Sequence, residues 1–367
     1  MGEGVLSMEN NHFEIPAPEY CASKIFEISG VKFDPTAATA LWSEILRHKW
    51  LLSEKVGRDV GFRTACIDLL ENTENAQQEY LNYVQMNALK DLGAQTISRE
   101  IWDSISDTQP PKQLVHRRII LPLTEEDLSA KHGVIPPKAI MFFGPPGTGK
   151  THFAKAIAGV LSWWYVEIVP SMLMTDGVER IGANLRNVME KARSLNEAVI
   201  FIDEFEEIAS SRDMGDRIDK SITNEFLKQI PMLKSYNNRI LLVCATNYIR
   251  QLDAAILRPG RFDCIIPVGG LDEEGRETIL LHFLSRLNTG VVELKRLVKM
   301  TCGFTPADIE YLFQQVAQFA FEQELARKED FQVTTGTFLE IIPRVRPSLT
   351  DEVFAEFEKD CATYSRV

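Results

Sequence analysis

The sequence is 367 residues long, with 45% hydrophobic and 25% charged residues and a formal net charge of −12 at pH 7. These proportions exclude a disordered or fibrous chain and leave room for two or three folded domains. No apolar run reaches the roughly 20 residues of a membrane-spanning helix, and the first residues show no basic and apolar leader, so we expect a cytoplasmic protein. The acidic balance opposes binding to phosphate backbones and membrane surfaces, and we expect neither nucleic acid nor membrane as a partner.

The leading part of the chain is predicted to be helical. No proline occurs between Pro35 and Pro110, and such a stretch favours helices. Apolar residues recur in it at helical spacing, at Leu41, Trp42, Ile45, Leu46, Phe62, Cys66, Leu69 and Leu70. We therefore expect an all-α domain over residues 1–98, with a loose segment of about 30 residues before two to four packed helices. No set of nucleophile, base and metal ligand appears in it, which favours a helical adaptor or cap.

From Ile101 onward the pattern changes to short apolar runs separated by helical segments. This alternation is typical of an α/β fold, with a parallel sheet covered by helices on both faces. The predicted strands are Ala139–Phe143, Tyr165–Val169, Ala198–Ile202, Ile240–Ala245 and Cys264–Val268. After Glu273 the pattern becomes helical again. We therefore expect a large α/β subdomain over residues 99–270 and a small helical lid with a closing helix over residues 271–367.

A glycine-rich segment, GPPGTGKT, follows the first predicted strand and precedes a helical segment. It matches G-x-x-x-x-G-K-[ST], the phosphate loop in which backbone N–H groups and a helix N-terminus surround an anion. Its lysine brings a full charge near the β- and γ-phosphates, and its threonine hydroxyl can bind Mg²⁺. The sequence thus predicts a P-loop nucleotide site formed by Gly144, Pro145, Pro146, Gly147, Thr148, Gly149, Lys150 and Thr151.

Two carboxylates follow the third predicted strand, in the segment AVIFIDE. In an open α/β sheet the ligand crevice lies at the carboxyl ends of the strands. Because Mg²⁺ needs an acidic oxygen and the attacking water needs a base, we predict that Asp203 binds the metal together with Thr151 and that Glu204 polarises the water. We expect the neighbouring Glu206 and Glu207 to be solvated helix charges.

The fourth predicted strand, in ILLVCATN, ends at Thr246 and Asn247. The Asn247 amide could hold the lytic water or sense the γ-phosphate. A cap on the strand end is an equally good interpretation from the residues alone.

Together these motifs resemble the AAA family of ATPases, in particular the branch with valosin-containing protein, katanin and the proteasomal ATPases. The decisive segment, LDAAILRPGRFD, resembles that family's second region of homology. The resemblance implies that the nucleotide is ATP, that Asn247 is sensor 1, and that Arg258 and Arg261 are arginine fingers projected into a neighbouring subunit's site. It also implies a homo-oligomeric ring, expected to be a hexamer.

The resemblance extends on both sides of this core, over roughly Ile101–Arg366. The segment WDSIS lies where the family lines the adenine pocket, and GFTPAD matches a turn that the family writes G-F-[ST]-G-A-D. The residues placed at the adenine and its edge by this likeness are Ser104, Ile105, Ser106, His282, Pro306 and Ala307. Ser106 and Pro306 stand where the family has glycines, which changes the adenine edge.

One departure concerns the family's first pore loop, where an aromatic residue grips a threaded polypeptide. The gapless match places Gly177 at that position. The leading hypothesis is ATP hydrolysis by an oligomeric ring, coupled to remodelling of a protein partner that the N-terminal helical domain recruits. The alternative is a nucleotide-dependent assembly switch or scaffold that threads no substrate. A member acting on DNA is disfavoured by the acidic balance and by Ala307, which lies where clamp loaders have a sensor arginine.

Overall fold

A computed structural model describes residues 15–29, 33, 35–71, 85–86, 88–173, 180–193, 195, 197–209, 225–232, 239–328 and 330–366. The chain divides into two compact units, Met1–Asn87 and Ala88–Val367. None of the described helices is both long and apolar enough to cross a membrane. The predicted pore-loop position, Gly177, lies outside the described residues.

The described part of the first unit is helical, with α1 Pro18–Ser29, α2 Pro35–Val56 and α3 Gly61–Glu71. The helices share one small core, formed by Cys21, Ile25, Ala38, Trp42, Ile45, Ala65, Cys66 and Leu69. Helix α1 departs from the expectation of a loose leading segment. Cys21 and Ile25 lie one helical turn apart and are both fully buried, so this short helix is held by packing rather than by its own propensity.

The second unit is built on a parallel sheet. Its strands are β1 Ala139–Phe143, β2 Trp164–Ile168, β3 Glu197–Ile202, β4 Arg239–Thr246 and β5 Cys264–Pro267. Among the described residues they form a five-stranded sheet in the order β2-β3-β4-β1-β5, and each neighbouring pair is parallel. This confirms the predicted α/β fold. The strands could be predicted because each is an apolar run bounded by turns.

Helices surround the sheet. In chain order they are α4 Glu100–Asp103, α5 Pro110–Val115, α6 Leu121–Thr124, α7 Glu126–Lys131, α8 Lys150–Leu161, α9 Pro170–Leu173, α10 Ile181–Arg193 and α11 Phe205–Ile208. A π-helical turn, His116–Ile120, joins α5 to α6, and residues 225–232 are also helical. Alternate β1 residues enter separate apolar cores, Met141 in one and Phe142 in the other. Both faces of the sheet are therefore covered.

A helical lid follows β5. Its helices are α12 Glu273–Leu284, α13 Leu294–Met300, α14 Pro306–Arg327 and α15 Thr335–Ile341. Their buried apolar side chains form a third core, distinct from the two at the sheet. Helix α14 begins with a capping box, in which the side chains of Thr305 and Asp308 each accept the other's backbone N–H, and this fixes where the helix starts.

Two segments pack on the sheet rather than on the domain predicted for them. The last helix, α16 Asp351–Tyr364, places Phe357 and Cys361 against the core that also contains Phe143. Near the start of the second unit in sequence, Gln95 forms an antiparallel bridge with Tyr165 of β2. The predicted domain boundary after residue 98 therefore falls inside the second unit, and the closing helix of the predicted lid packs on the sheet.

Candidate functional site

The glycine-rich loop lies between β1 and α8, at the carboxyl edge of the sheet where ligands bind in open α/β folds. Gly144 adopts a φ of +150°, and a Cβ built on it would lie 2.1 Å from the carbonyl oxygen of Val268. Gly149, just before α8, adopts a left-handed φ of +94°. A side chain would clash at Gly144 and would strain the backbone at Gly149, so the two glycines let the loop curl around an anion at the N-terminus of α8.

Lys150, the first residue of α8, is buried, with 6% of its surface exposed. Its Nζ donates to the carbonyl oxygens of Gly144 and Pro145, each at 2.8 Å. Burial lowers the pKa of Lys150 to about 8, and the carboxylates of Asp203 and Glu206 oppose that shift. The ammonium group therefore lies inside the loop, where the negative charge of a phosphate would stabilise its protonated form.

Thr151 and Asp203, the two predicted metal ligands, are in contact: the Thr151 hydroxyl donates to Asp203 Oδ2 at 2.8 Å. Strand β3 ends at Ile202, which carries Asp203 to the same edge as the loop. Hydroxyl and carboxylate oxygens are the donors that Mg²⁺ prefers. The residues present therefore fit a magnesium ion held between the loop and the strand end.

Glu204, the predicted base, has a left-handed backbone with a φ of 49°. A residue other than glycine adopts this conformation at a cost of about 1–3 kcal/mol, and such strain is concentrated at functional sites. The side chain is exposed. The neighbouring carboxylate of Glu207, together with desolvation and the charges of Asp203 and Glu206, raises the pKa of Glu204. A raised pKa makes a carboxylate a better proton acceptor.

Glu206 is not the solvated charge that the sequence predicts. Its Oε1 accepts the backbone N–H of Asn247 at 3.1 Å, and its Oε2 is buried with no hydrogen-bond partner among the described residues. The prediction is wrong because the turn after β3 folds this side chain inward, toward the end of β4. Glu206 thereby ties Asn247 to the turn that carries the predicted base. Glu207 is exposed, as predicted.

A cavity of about 630 Å³, within the range of ligand pockets, extends from the phosphate loop to the lid. Most of the predicted site residues line it: Ser104, Ile105, Ser106, Pro146, Gly147, Thr148, Gly149, Lys150, Thr151, Asp203, Glu204, Asn247, His282, Pro306 and Ala307. Gly144 and Pro145 do not line the cavity and instead accept the Lys150 hydrogen bonds. The structure therefore brings the phosphate, metal and adenine positions of the sequence into one place.

The start of α14 contacts the phosphate loop directly. The Ala307 N–H donates to the carbonyl oxygen of Gly147 at 3.3 Å, and a Cβ on Gly147 would lie 3.0 Å from the Thr305 hydroxyl. The lid thus forms one wall of the cavity. Ser106, which also lines the cavity, is buried, and its hydroxyl bonds with that of Thr108 at 2.9 Å.

Sequence reasoning missed His152, which follows the loop directly and lines the cavity. Its Nε2 lies 3.2 Å from the Ser104 hydroxyl. The lid contributes two further charged side chains that were not predicted, Arg286 and Glu310. His152 could have been found, because the residue after the loop threonine lies in the first turn of the helix that begins at the phosphate loop. No local sequence pattern marks Arg286 or Glu310 as a residue of the cavity.

The two predicted arginine fingers do not line this cavity. They lie on the turn between β4 and β5. Arg258 is exposed, and its guanidinium makes no hydrogen bond or ion pair with any residue that the structure describes. Arg261 is half-buried and donates to the carbonyl oxygen of Ala255 in its own chain. Of the two, Arg258 is the one that the fold presents outward.

The chain is similar to known ATPases. Residues 140–269 match the family model "ATPase family associated with various cellular activities (AAA)". The chain is 30% identical over 286 residues, 73% of its length, to the Cell division cycle protein 48 homolog of Archaeoglobus fulgidus. It is 33% identical over 228 residues, 61% of its length, to the Proteasome-activating nucleotidase of Methanococcus vannielii. The crystal structure of the FIGL-1 AAA domain matches with a TM-score of 0.66 and 25% identity, over 76% of this chain and 96% of that one.

The fold and the loop define a nucleotide-binding protein of the P-loop class. More narrowly, residues 140–269 are an AAA ATPase domain, which confirms the resemblance seen in the sequence. A second structure of the FIGL-1 domain, at 24% identity and a TM-score of 0.65, is a complex with ADP. The chain spans 39% and 55% of the lengths of the two curated relatives.

Proposed function

We propose that this chain is a Mg²⁺-dependent ATPase that assembles into a homo-oligomeric ring, a hexamer by family resemblance, and uses hydrolysis to remodel a protein partner. One observation carries the proposal. The loop, the metal ligands and the base share one cavity, whereas Arg258 is exposed and unpaired among the described residues, away from that cavity. A neighbouring copy would bring this arginine to the triphosphate, as AAA-type fingers act in trans.

Each side chain has a separate task at bound ATP. The loop amides and Lys150 hold the phosphates, while Thr151 and Asp203 would hold Mg²⁺. The metal would supply positive charge that neutralises the triphosphate. Glu204 accepts a proton from the attacking water, Asn247 orients that water or the γ-phosphate, and an arginine from the next copy stabilises the charge that develops during transfer.

The two arginines have different parts in this proposal. Arg258 is the finger, because its guanidinium is free to reach another chain. The Arg261 guanidinium is occupied by the Ala255 carbonyl oxygen, so we assign it to shaping the turn. This narrows the sequence-based assignment, which gave both residues the same role.

The first unit is proposed to recruit the protein partner. It has a core of its own, and no cluster of three metal-ligating side chains occurs in the part of the chain that the structure describes. The name of one relative, Proteasome-activating nucleotidase, is that of a protein acting on another protein assembly, which supports a protein as the partner. We keep the expectation that nucleic acid and membranes are not partners, on the ground of the acidic net charge.

Glu204→Gln tests the catalytic part. Glutamine keeps the shape of the side chain but cannot take the proton, so turnover should fall about 10²–10⁴-fold while ATP still binds. Phosphate release and binding of a fluorescent ATP analogue measure the two quantities. Glu190→Gln, an exposed acid on α10, is the matched control and should behave as wild type. Wild-type turnover in Glu204→Gln would refute the assigned role.

The same variant tests assembly, because it retains ATP. With ATP, mass photometry or sedimentation should show an oligomer that dissociates when the nucleotide is removed. A protein that stays monomeric with ATP at micromolar concentration and low salt would overturn the ring.

A second candidate, a nucleotide-dependent assembly switch or scaffold, is favoured by one sequence feature, the glycine at position 177. A glycine offers no side chain to hold a threaded backbone. Turnover that accelerates when the partner is added supports remodelling. Assembly that follows ATP, with no acceleration by the partner and no loss in Gly177→Asp, supports the switch.

A further inference from the structure

The chain that follows α16 returns to the edge of the sheet. The backbone of Arg366 pairs with Ile265 of β5 in an antiparallel bridge. Ile265 N donates to Arg366 O at 2.7 Å, and Arg366 N donates to Ile265 O at 3.0 Å. Among the described residues β5 is the edge strand, so this short pairing covers part of its free edge and fixes the position of Arg366 in register with the sheet.

The Arg366 side chain then reaches residues 257–262, the segment that carries Arg258 and Arg261 and is called the finger turn below. One guanidinium nitrogen donates to the carbonyl oxygen of Leu257 at 2.8 Å, and the other donates to that of Phe262 at 2.7 Å. Leu257 directly precedes Arg258, and Phe262 directly follows Arg261. A planar, permanently charged group with a rigid donor fork therefore joins the two ends of the segment that carries both arginines.

We propose that Arg366 is a positioning residue for the arginine finger: it fixes both ends of the turn 257–262 and so sets where Arg258 stands for the neighbouring subunit's ATP. The inference rests on the proposed function, because it needs a finger that acts between chains. Arg366 is far from the turn in sequence and does not line the chain's own nucleotide cavity.

The construction of the turn shows why such a clamp matters. Its tip, residues 258–260, is exposed, whereas Ile256 and Phe262 at its base are buried. Asp253 and Arg261 bind the backbone of Ala255, which lies just before the turn. Those contacts are local in sequence, while the Arg366 guanidinium ties the turn to a distant part of the chain. A displacement of about 1 Å in a catalytic group can cost about 10²-fold in rate.

Helix α16 is itself held firmly, which gives the clamp a fixed seat. Arg250, beyond the end of β4, forms ion pairs with Asp360 at 2.5 Å and Glu356 at 2.6 Å. On the same helix, the Phe357 ring lies 6.0 Å from that of Phe143, between centroids. The helix thus contacts the sheet near the phosphate loop before the chain reaches the finger turn.

Steady-state kinetics of two variants form the first test. In Arg366→Ala, kcat should fall about 10- to 100-fold, while the KM for ATP stays within about twofold because the chain's own pocket is intact. Arg366→Lys keeps a charge but not the fork, so an intermediate loss is expected. Arg344→Ala is the matched control, because among the described residues that exposed guanidinium pairs only with Glu340, one turn before it. Wild-type kcat in Arg366→Ala, or a rise in KM that accounts for the loss, would overturn the inference.

Mixed oligomers separate positioning across the interface from a defect within the mutated chain. Glu204→Gln chains cannot hydrolyse ATP but donate an intact turn, so an equal mixture with Arg366→Ala should leave about a quarter of the sites with both an intact base and an intact donor. The mixture should therefore turn over faster than the mean of its two components. Arg258→Ala mixed with Glu204→Gln is the reference and should show the same gain. Co-purification of differently tagged chains verifies mixing.

The two mixtures distinguish the possible failures. A gain with Arg258→Ala but none with Arg366→Ala would refute the inference and leave the proposed function intact. No gain in either mixture, with mixed oligomers verified, would refute fingers acting between chains and, with them, the role of Arg366.

Discussion

At the phosphate loop Lys150 is buried and donates to two carbonyl oxygens of its own loop, and Thr151 is bound to Asp203. On the finger turn, Arg258 is exposed and unpaired among the described residues, although the turn beneath it is bound at both ends by Arg366. We propose from this contrast that one chain holds the nucleotide without help, whereas the arginine that assists hydrolysis is presented to another chain. The predictions below test that division.

The largest effect is expected from Arg258→Ala. Loss of a finger supplied in trans lowers turnover by about 10³–10⁵-fold, and ATP affinity should stay within about threefold because the loop is untouched. Turnover by phosphate release and affinity by fluorescent-analogue titration measure the two sides of the comparison separately. If monomeric Arg258→Ala lost ATP affinity to a similar extent, the contrast would be refuted, because the arginine would then act in its own chain's pocket.

A smaller effect, confined to the loop, is expected from pH. In the free protein burial lowers the pKa of Lys150 to about 8, and bound phosphates would raise it again. Below that pH, ATP binds a lysine that is already protonated; above it, binding must take up a proton, so affinity falls as pH rises. The apparent Kd for ATP at saturating Mg²⁺ should increase about tenfold between pH 7 and pH 9.

Lys150→Arg is the control for this pH dependence. Arginine stays charged throughout this range, so whatever affinity the variant has should not change with pH. If the Kd for ATP depended on pH equally in wild type and variant, another group would be titrating, and the explanation by the charge of Lys150 would be wrong.

The sheet and the phosphate loop could be predicted from sequence because their signals are local. Each strand is an apolar run bounded by turn residues, and every strand end lies within one residue of its predicted position. The glycines of the loop are needed by the backbone itself, as the close approach of Val268 to Gly144 shows. Residues such as Asp203 and Asn247 follow strands directly, so the parallel topology brings them to the same edge.

The rest depends on neighbours that are distant in sequence. Arg366 and Leu257 are separated by 109 positions, and no periodicity relates them. Glu206 stands among other acids in a polar turn, so composition predicts a solvated charge, and only the folded turn directs it to the Asn247 N–H. Helix α1 was not predicted for a related reason. Cys21 and Ile25 alone are too short an apolar pattern to indicate a helix, and α1 is stabilised by packing on α2 and α3.

The smallest effect is expected from Gly269→Ala, which probes the helix between the two regions. The new Cβ would lie 2.5 Å from Cε1 and 3.1 Å from Cζ of Phe357, so the ring must move, and we expect α16 to loosen. Overpacking of this kind lowers the free energy of unfolding by about 1–3 kcal/mol, measured as a shift in thermal midpoint without nucleotide. Gly336→Ala is the control, because its Cβ would meet nothing closer than 3.5 Å. Equal midpoints would show that Phe357 does not fix the helix. If Gly269→Ala lowers stability but hardly changes turnover, the role of Phe357 is to pack beneath the phosphate loop. If turnover falls and mixing with Glu204→Gln chains restores it, Phe357 helps to position the finger turn.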